Sequence, residues 1–129
     1  MKRILLACFL LTATCTLSFV QQATAHAAPA PSTASDFTAK VNLMDAQIGA
    51  GNMTAAQATW NEIHTMELSV LQTAKYNILG ASTPTDKAAK TDVFNSQYAL
   101  YQDIWSLKTD LATNKVAIHS KLLAFAALI

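Results

Sequence analysis

Glycine and proline, the residues that most often end helices, occur three times each in this chain of 129 residues. Beyond residue 31 they stand only at Gly49, Gly51, Gly80 and Pro84. Residues 85–129 contain neither. Few tight turns fit such a chain, so its periodicity must describe long elements, and the period is helical. Phe37, Val41, Met44 and Ile48 recur at spacings of four, three and four, which puts them on one helix face. This predicts a first helix over 36–49. It is ended by Gly49-Ala50-Gly51-Asn52, where glycine tolerates the left-handed conformation that helix C-termini use.

A second helix is predicted over 53–79. Thr54 and Gln57 form a capping-box pattern at its start, and Ala56, Trp60, Ile63, Val70, Leu71, Ala74 and Ile78 keep one stripe until Gly80. The third begins after Thr83, with Pro84 at the first helical position and Asp86 in the first turn. Its stripe runs through Phe94, Tyr101, Ile104, Trp105, Leu111 and Ala112, then on through Leu122, Leu123 and Ala126. One helix from 85 to 129 is too long for a compact domain of this size. A bend or break is expected near Thr113-Asn114.

The chain also repeats itself. "TAKVNLM" at 38–44 returns as "TAKYNIL" at 73–79 and, loosened, as "TNKVAIH" at 113–119; "ATWNEIHTM" at 58–66 lines up with "ALYQDIWSL" at 99–107. Read as helical-hairpin units, these echoes give 38–72, 73–112 and a closing half-unit at 113–129 that folds back as a third tier. The unit seam is one residue short, so the repeat is imperfect.

The N-terminus carries an address. Met1-Lys2-Arg3, an apolar run from Ile4 to Val20 and small residues at Ala23, Ala25 and Ala27 describe a secretory signal peptide cleaved before Ala28, or before His26. Both cysteines, Cys8 and Cys15, fall inside it, so residues 28–129 have no thiol chemistry. Cys8 sits too early in the apolar run to be a lipid anchor. Residues 28–35, rich in Ala, Pro and Ser, read as a flexible lead-in, and 36–129 as a single helical domain.

Lys2 and Arg3 supply two of the nine basic residues, which leaves seven lysines against eight acids in 28–129 and no basic cluster. Nucleic-acid binding, which rests on neutralised phosphates, is disfavoured. The apolar run at 122–129 is too short to span a bilayer.

Catalytic groups are scarce. His64 and His119 are the histidines of the mature chain and Glu occurs only at 62 and 67, so neither a di-iron set nor a zinc set can be assembled. No nucleophile elbow or phosphate loop is present. Haem held by Met44 and His119 is the sharpest cofactor alternative. Glu67 and Lys108 lie on apolar stripes with their stems along apolar surface, and antiparallel register would let Asp45 meet Lys108.

The reading is therefore an all-α, three- or four-helix antiparallel bundle, periplasmic or secreted. Trp60, Ile63, Tyr101, Ile104 and Trp105 are expected mainly in its core. The expected role is non-catalytic, a protein-binding or scaffolding module of the cell envelope. A haem carrier and a chaperone-like peptide-binding module are the alternatives. The partner is not identified, and residues 120–129 are a candidate homodimer surface.

Overall fold

The computed structural model describes residues 32–129. The expected signal peptide with Cys8 and Cys15, and the lead-in up to Pro31, lie outside the described residues. The rest is helical: α1 Ala34–Gly49, α2 Met53–Leu79, α3 Pro84–Ser106 and α4 Lys115–Ala126, with no strand among the described residues.

Side chains set each helix start. α1 begins two residues before the predicted position because Thr33, extended at ψ 156°, accepts the Asp36 amide at 3.1 Å and donates its hydroxyl to the Asp36 carboxylate at 2.7 Å. α2 has the predicted span, but its cap is Asn52, whose Oδ1 accepts from the Ala55 amide at 3.2 Å. The Thr54 and Gln57 capping box does not form. Thr54 is already inside the helix, where it cannot take the non-helical conformation of a cap, and the Gln57 amide donates to Asn61 instead. Before it, Gly51 takes φ +73°, in the left-handed region that favours glycine. α3 starts as predicted: Thr83 accepts the Asp86 amide and Pro84 opens the helix.

The break in the last stretch is wider than predicted and starts earlier. α3 stops at Ser106, the chain turns over 107–114, and α4 follows. Polar side chains, not Gly or Pro, make this loop. The Asp110 carboxylate takes the Thr113 amide at 2.9 Å and the Thr113 hydroxyl at 2.6 Å, while Asn114 Nδ2 donates to the Leu107 carbonyl at 3.2 Å. Such short polar side chains offer the backbone an alternative to the helix ladder.

Each helix touches two others, α1 with α2 and α4, α3 with α2 and α4, and the diagonal pairs do not meet. This is a closed antiparallel four-helix bundle. Residues 113–129 do fold back, but against α1 as well as α3, closing a ring where a stacked third tier would have met only its neighbour. The Phe37 and Phe125 rings stack at 5.4 Å, and with Val41, Met44, Ile63, Ile104, Ile118 and Leu122 they form a dry core. Leu122, Phe125 and Ala126 of the candidate dimer segment are thereby buried within the chain.

The echoes differ in what they share. Val41 is buried, whereas its counterparts Tyr76 and Val116 are 63 % and 81 % exposed, so the three "TAK"-type copies occupy unlike environments. The other pair is alike. Ile63 and Ile104 are both fully buried, Glu62 pairs with Lys40 of α1, and Asp103 pairs with Lys121 of α4 at 2.8 Å. That likeness belongs to two antiparallel helices facing each other across the bundle.

The helices are unequal: α2 and α3 have 27 and 23 residues, α1 and α4 only 16 and 12. Gln97 Nε2 donates to the Leu128 carbonyl at 2.7 Å, which fixes the end of α4 beside the middle of α3. Ser32, just ahead of α1, lies across from Val70. Beyond this level, among the described residues, α2 and α3 continue alone as an arm about 15 Å long, from the helical rise over some ten residues.

Candidate functional site

Two features of the α2–α3 hairpin stand out, an aromatic seam along its outer side and a notch at the foot of the arm. The seam is built by spacing. Phe94, Tyr98, Tyr101 and Trp105 recur every three or four residues on α3, and α2 adds Trp60 and His64. The rings form one continuous series: Phe94 to Tyr98 5.9 Å, Tyr98 to Tyr101 6.2 Å, Tyr101 to Trp105 6.4 Å and Trp60 to Trp105 6.3 Å between centroids. The His64 imidazole stacks on Trp105 at 4.0 Å and on Tyr101 at 5.6 Å. The Lys108 ammonium caps the series 4.0 Å over Trp105, a cation–π contact. Ile63, Ile104 and Trp60 are core residues as expected, but Tyr101 and Trp105 are half-buried, because the seam opens outward.

Beneath the seam lies Glu67, 1 % exposed. Sequence reasoning put its stem on apolar surface and its carboxylate in water; the carboxylate is inside. Its Oε1 has no hydrogen-bond partner, and Oε2 is 3.8 Å from His64 Nδ1, too far for a hydrogen bond. Burial raises the Glu67 carboxyl to about 8. Burial, and then the nearby Lys108 charge, lower His64. Tyr101 is pushed up by burial, by Glu67 and by Tyr98. Near neutral pH the rings of the seam are thus uncharged around a protonated acid, with the Lys108 ammonium at the end of the series.

The notch, about 170 Å³, has the ends of the short helices as its floor and the bare hairpin as its wall. Ser32, Leu128 and Ile129 face Val70, Ala74, Asn77, Val93 and Gln97. A second depression of about 190 Å³ continues along the arm past Ala89 and Lys90. Val93 is 44 % exposed there, and on the far side of the arm Tyr76 and Leu79 stand more exposed still.

The remaining candidates are arranged otherwise than predicted. Asp45 meets His119 of α4, not Lys108: Oδ2 lies 2.9 Å from Nδ1, close but outside hydrogen-bond alignment. The register estimate failed because Lys108 falls beyond the end of α3, in the loop. Met44 is sealed in the core, and His119 is half-buried with its ring beside Asp45. Pockets for ligands of drug size and above hold roughly 300–1,000 Å³. Neither residue lines the notch, the second depression or the depressions at Leu43 and at Leu79, which measure about 170 to 260 Å³, and Met44 has no exposed surface. Among the described residues no cluster of three or more His, Cys, Asp or Glu is placed to hold a metal ion, and no helix is long and apolar enough to cross a membrane. The notch escaped sequence reasoning because it depends on where α4 ends; a signal was nonetheless present in Val93, an apolar residue off the predicted stripe that lines it.

No family model, curated protein or solved structure matches this chain.

Proposed function

We propose that this is an exported, non-catalytic protein-binding or scaffolding module of the cell envelope, and that the α2–α3 arm is where a protein partner docks. One observation carries the reading: two helices run past the other two, and among the described residues none covers the notch at Val70, Ala74, Val93 and Ile129 at its foot. Monomers rarely leave clustered apolar surface open without a use for it. The secretory character of residues 1–27 supports export, and the processed N-terminus near Ala28, read by mass spectrometry, tests that part separately.

The test of docking is chemical crosslinking in whole cells followed by capture of the protein. Val93→Lys puts a charge in the notch at a half-exposed site. Val116→Lys does the same on α4, where the side chain is 81 % exposed and far from the arm. A specific crosslinked band that survives Val116→Lys and disappears with Val93→Lys supports the reading; a band indifferent to both removes the arm from consideration.

A further inference from the structure

The α2–α3 seam holds a buried carboxyl group with no counter-charge paired to it among the described residues. Among the described residues the only basic group within 4 Å of Glu67 is His64, itself half-buried and with an unpartnered Nδ1. The other helices bring no counter-charge. From α3 come Tyr98 and Tyr101, both phenols, while Lys108 stands over Trp105. From α1, the charged groups at this level are occupied: Asp36 with Thr33 and Lys40 with Glu62. On α4, His119 faces Asp45 and Lys121 pairs with Asp103. An anion formed here is unpaired and dry, and removing a charge from water without a partner is among the most costly events in a fold.

The cheapest relief is local. His64, Tyr101 and Trp105 are half-exposed, so a small separation of α2 from α3 admits water to Glu67. The stack of Phe37 on Phe125 between α1 and α4 does not depend on that contact. We propose that His64 and Glu67 form a proton-operated latch on the α2–α3 seam. With one proton on the pair the aromatic series is closed; with none, the Glu67 carboxylate draws in water and frees the faces of Tyr101 and Trp105 for another molecule. The latch goes beyond the docking role of the arm and stands or falls independently of it.

Glu67 is raised in the fold, so its stabilising effect is full below its unfolded value of 4.5 and is lost as pH climbs through about 8. His64 is lowered, so its effect is present above 6.5 and fades as pH falls below that. No pH holds both in full: above 6.5 the His64 contribution is complete, while that of Glu67 is falling and is gone above about 8.

The reporter is built in, because both tryptophans of the chain, Trp60 and Trp105, lie in the seam. Tryptophan emission of the purified protein is followed from pH 6.5 to 9.5, with far-ultraviolet circular dichroism on the same samples. The expected result is a reversible red shift with a midpoint near pH 8 and unchanged helicity. Glu67→Gln, a neutral near-isostere, removes the shift. Glu67→Met, of similar volume, serves the same purpose if the amide is not accommodated, and Glu62→Gln on the exposed face of α2 leaves the shift in place. Wild-type emission that stays flat to pH 9.5, a shift that persists in the Gln or Met variant, or helicity lost at the same midpoint would each overturn the latch.

Discussion

The two sides of this bundle solve the same burial problem with different chemistry. Between α1 and α4 the contact is mostly aliphatic and aromatic, with Phe37, Val41, Met44, Ile118, Leu122 and Phe125 all fully buried and the half-buried Asp45–His119 pair beside them. Between α2 and α3 it is a series of half-exposed rings laid over an acid, continued by an arm with no third helix against it among the described residues. Dispersion and apolar burial hold most of the first side, with the Asp45–His119 pair beside them. The second depends on protonation and on water being kept out. A dry contact has one stable arrangement, whereas a partly wet, partly polar one has neighbouring arrangements at little cost, and surfaces that bind or respond are drawn from the latter kind.

The largest expected effect tests the dry side. Deleting residues 120–129 removes Leu122, Phe125 and Ala126 and exposes the face of α1, and a domain of this size has only about 5–15 kcal/mol to lose. The truncated protein should be unfolded or molten at every concentration by thermal melting. A stable, folded monomer after this deletion, from a wild type that light scattering shows to be a dimer, would instead make the segment an assembly surface.

Single side chains come next. Phe125→Ala and Trp60→Ala should each cost about 3–5 kcal/mol in denaturant unfolding, because both rings are buried. If the seam is the looser side, Trp60→Ala falls at the low end of that range and Phe125→Ala at the high end. The reverse order breaks the comparison. Asn52→Ala, which removes the cap of α2, should cost about 1 kcal/mol, while Thr54→Ala should cost a few tenths at most, within the range of ordinary surface substitutions. That contrast, read from melting temperatures, checks which residue caps the helix.

The smallest effect is at the surface. Lys121→Ala breaks a half-exposed pair with Asp103 and should change stability by about 0–1 kcal/mol, diminishing with added salt. A loss well above this would mean that the pair fixes the angle of α4 on α3, and would raise its importance to the arm.

The sequence by itself determined the spans of α1 and α2 and the start of α3, but not where α3 gives way to α4. Spacing of Phe37, Val41, Met44 and Ile48, the Gly49–Asn52 turn and the Thr83-Pro84 start are local signals, and local signals are complete within a few residues of chain. It also located most of the core, since a residue on the apolar stripe of an amphipathic helix has few other places to go. What it could not show is how far each helix reaches past its neighbours, because that depends on contacts distant in sequence, such as Gln97 with Leu128. The arm, the notch at its foot, the pairing of Asp45 with His119 and the burial of Glu67 all follow from that tertiary register. Glu67 is the clearest instance: a glutamate on an apolar stripe reads as a stem with its charge in water, and only the closure of α3 over it, ring by ring, leaves the carboxyl inside.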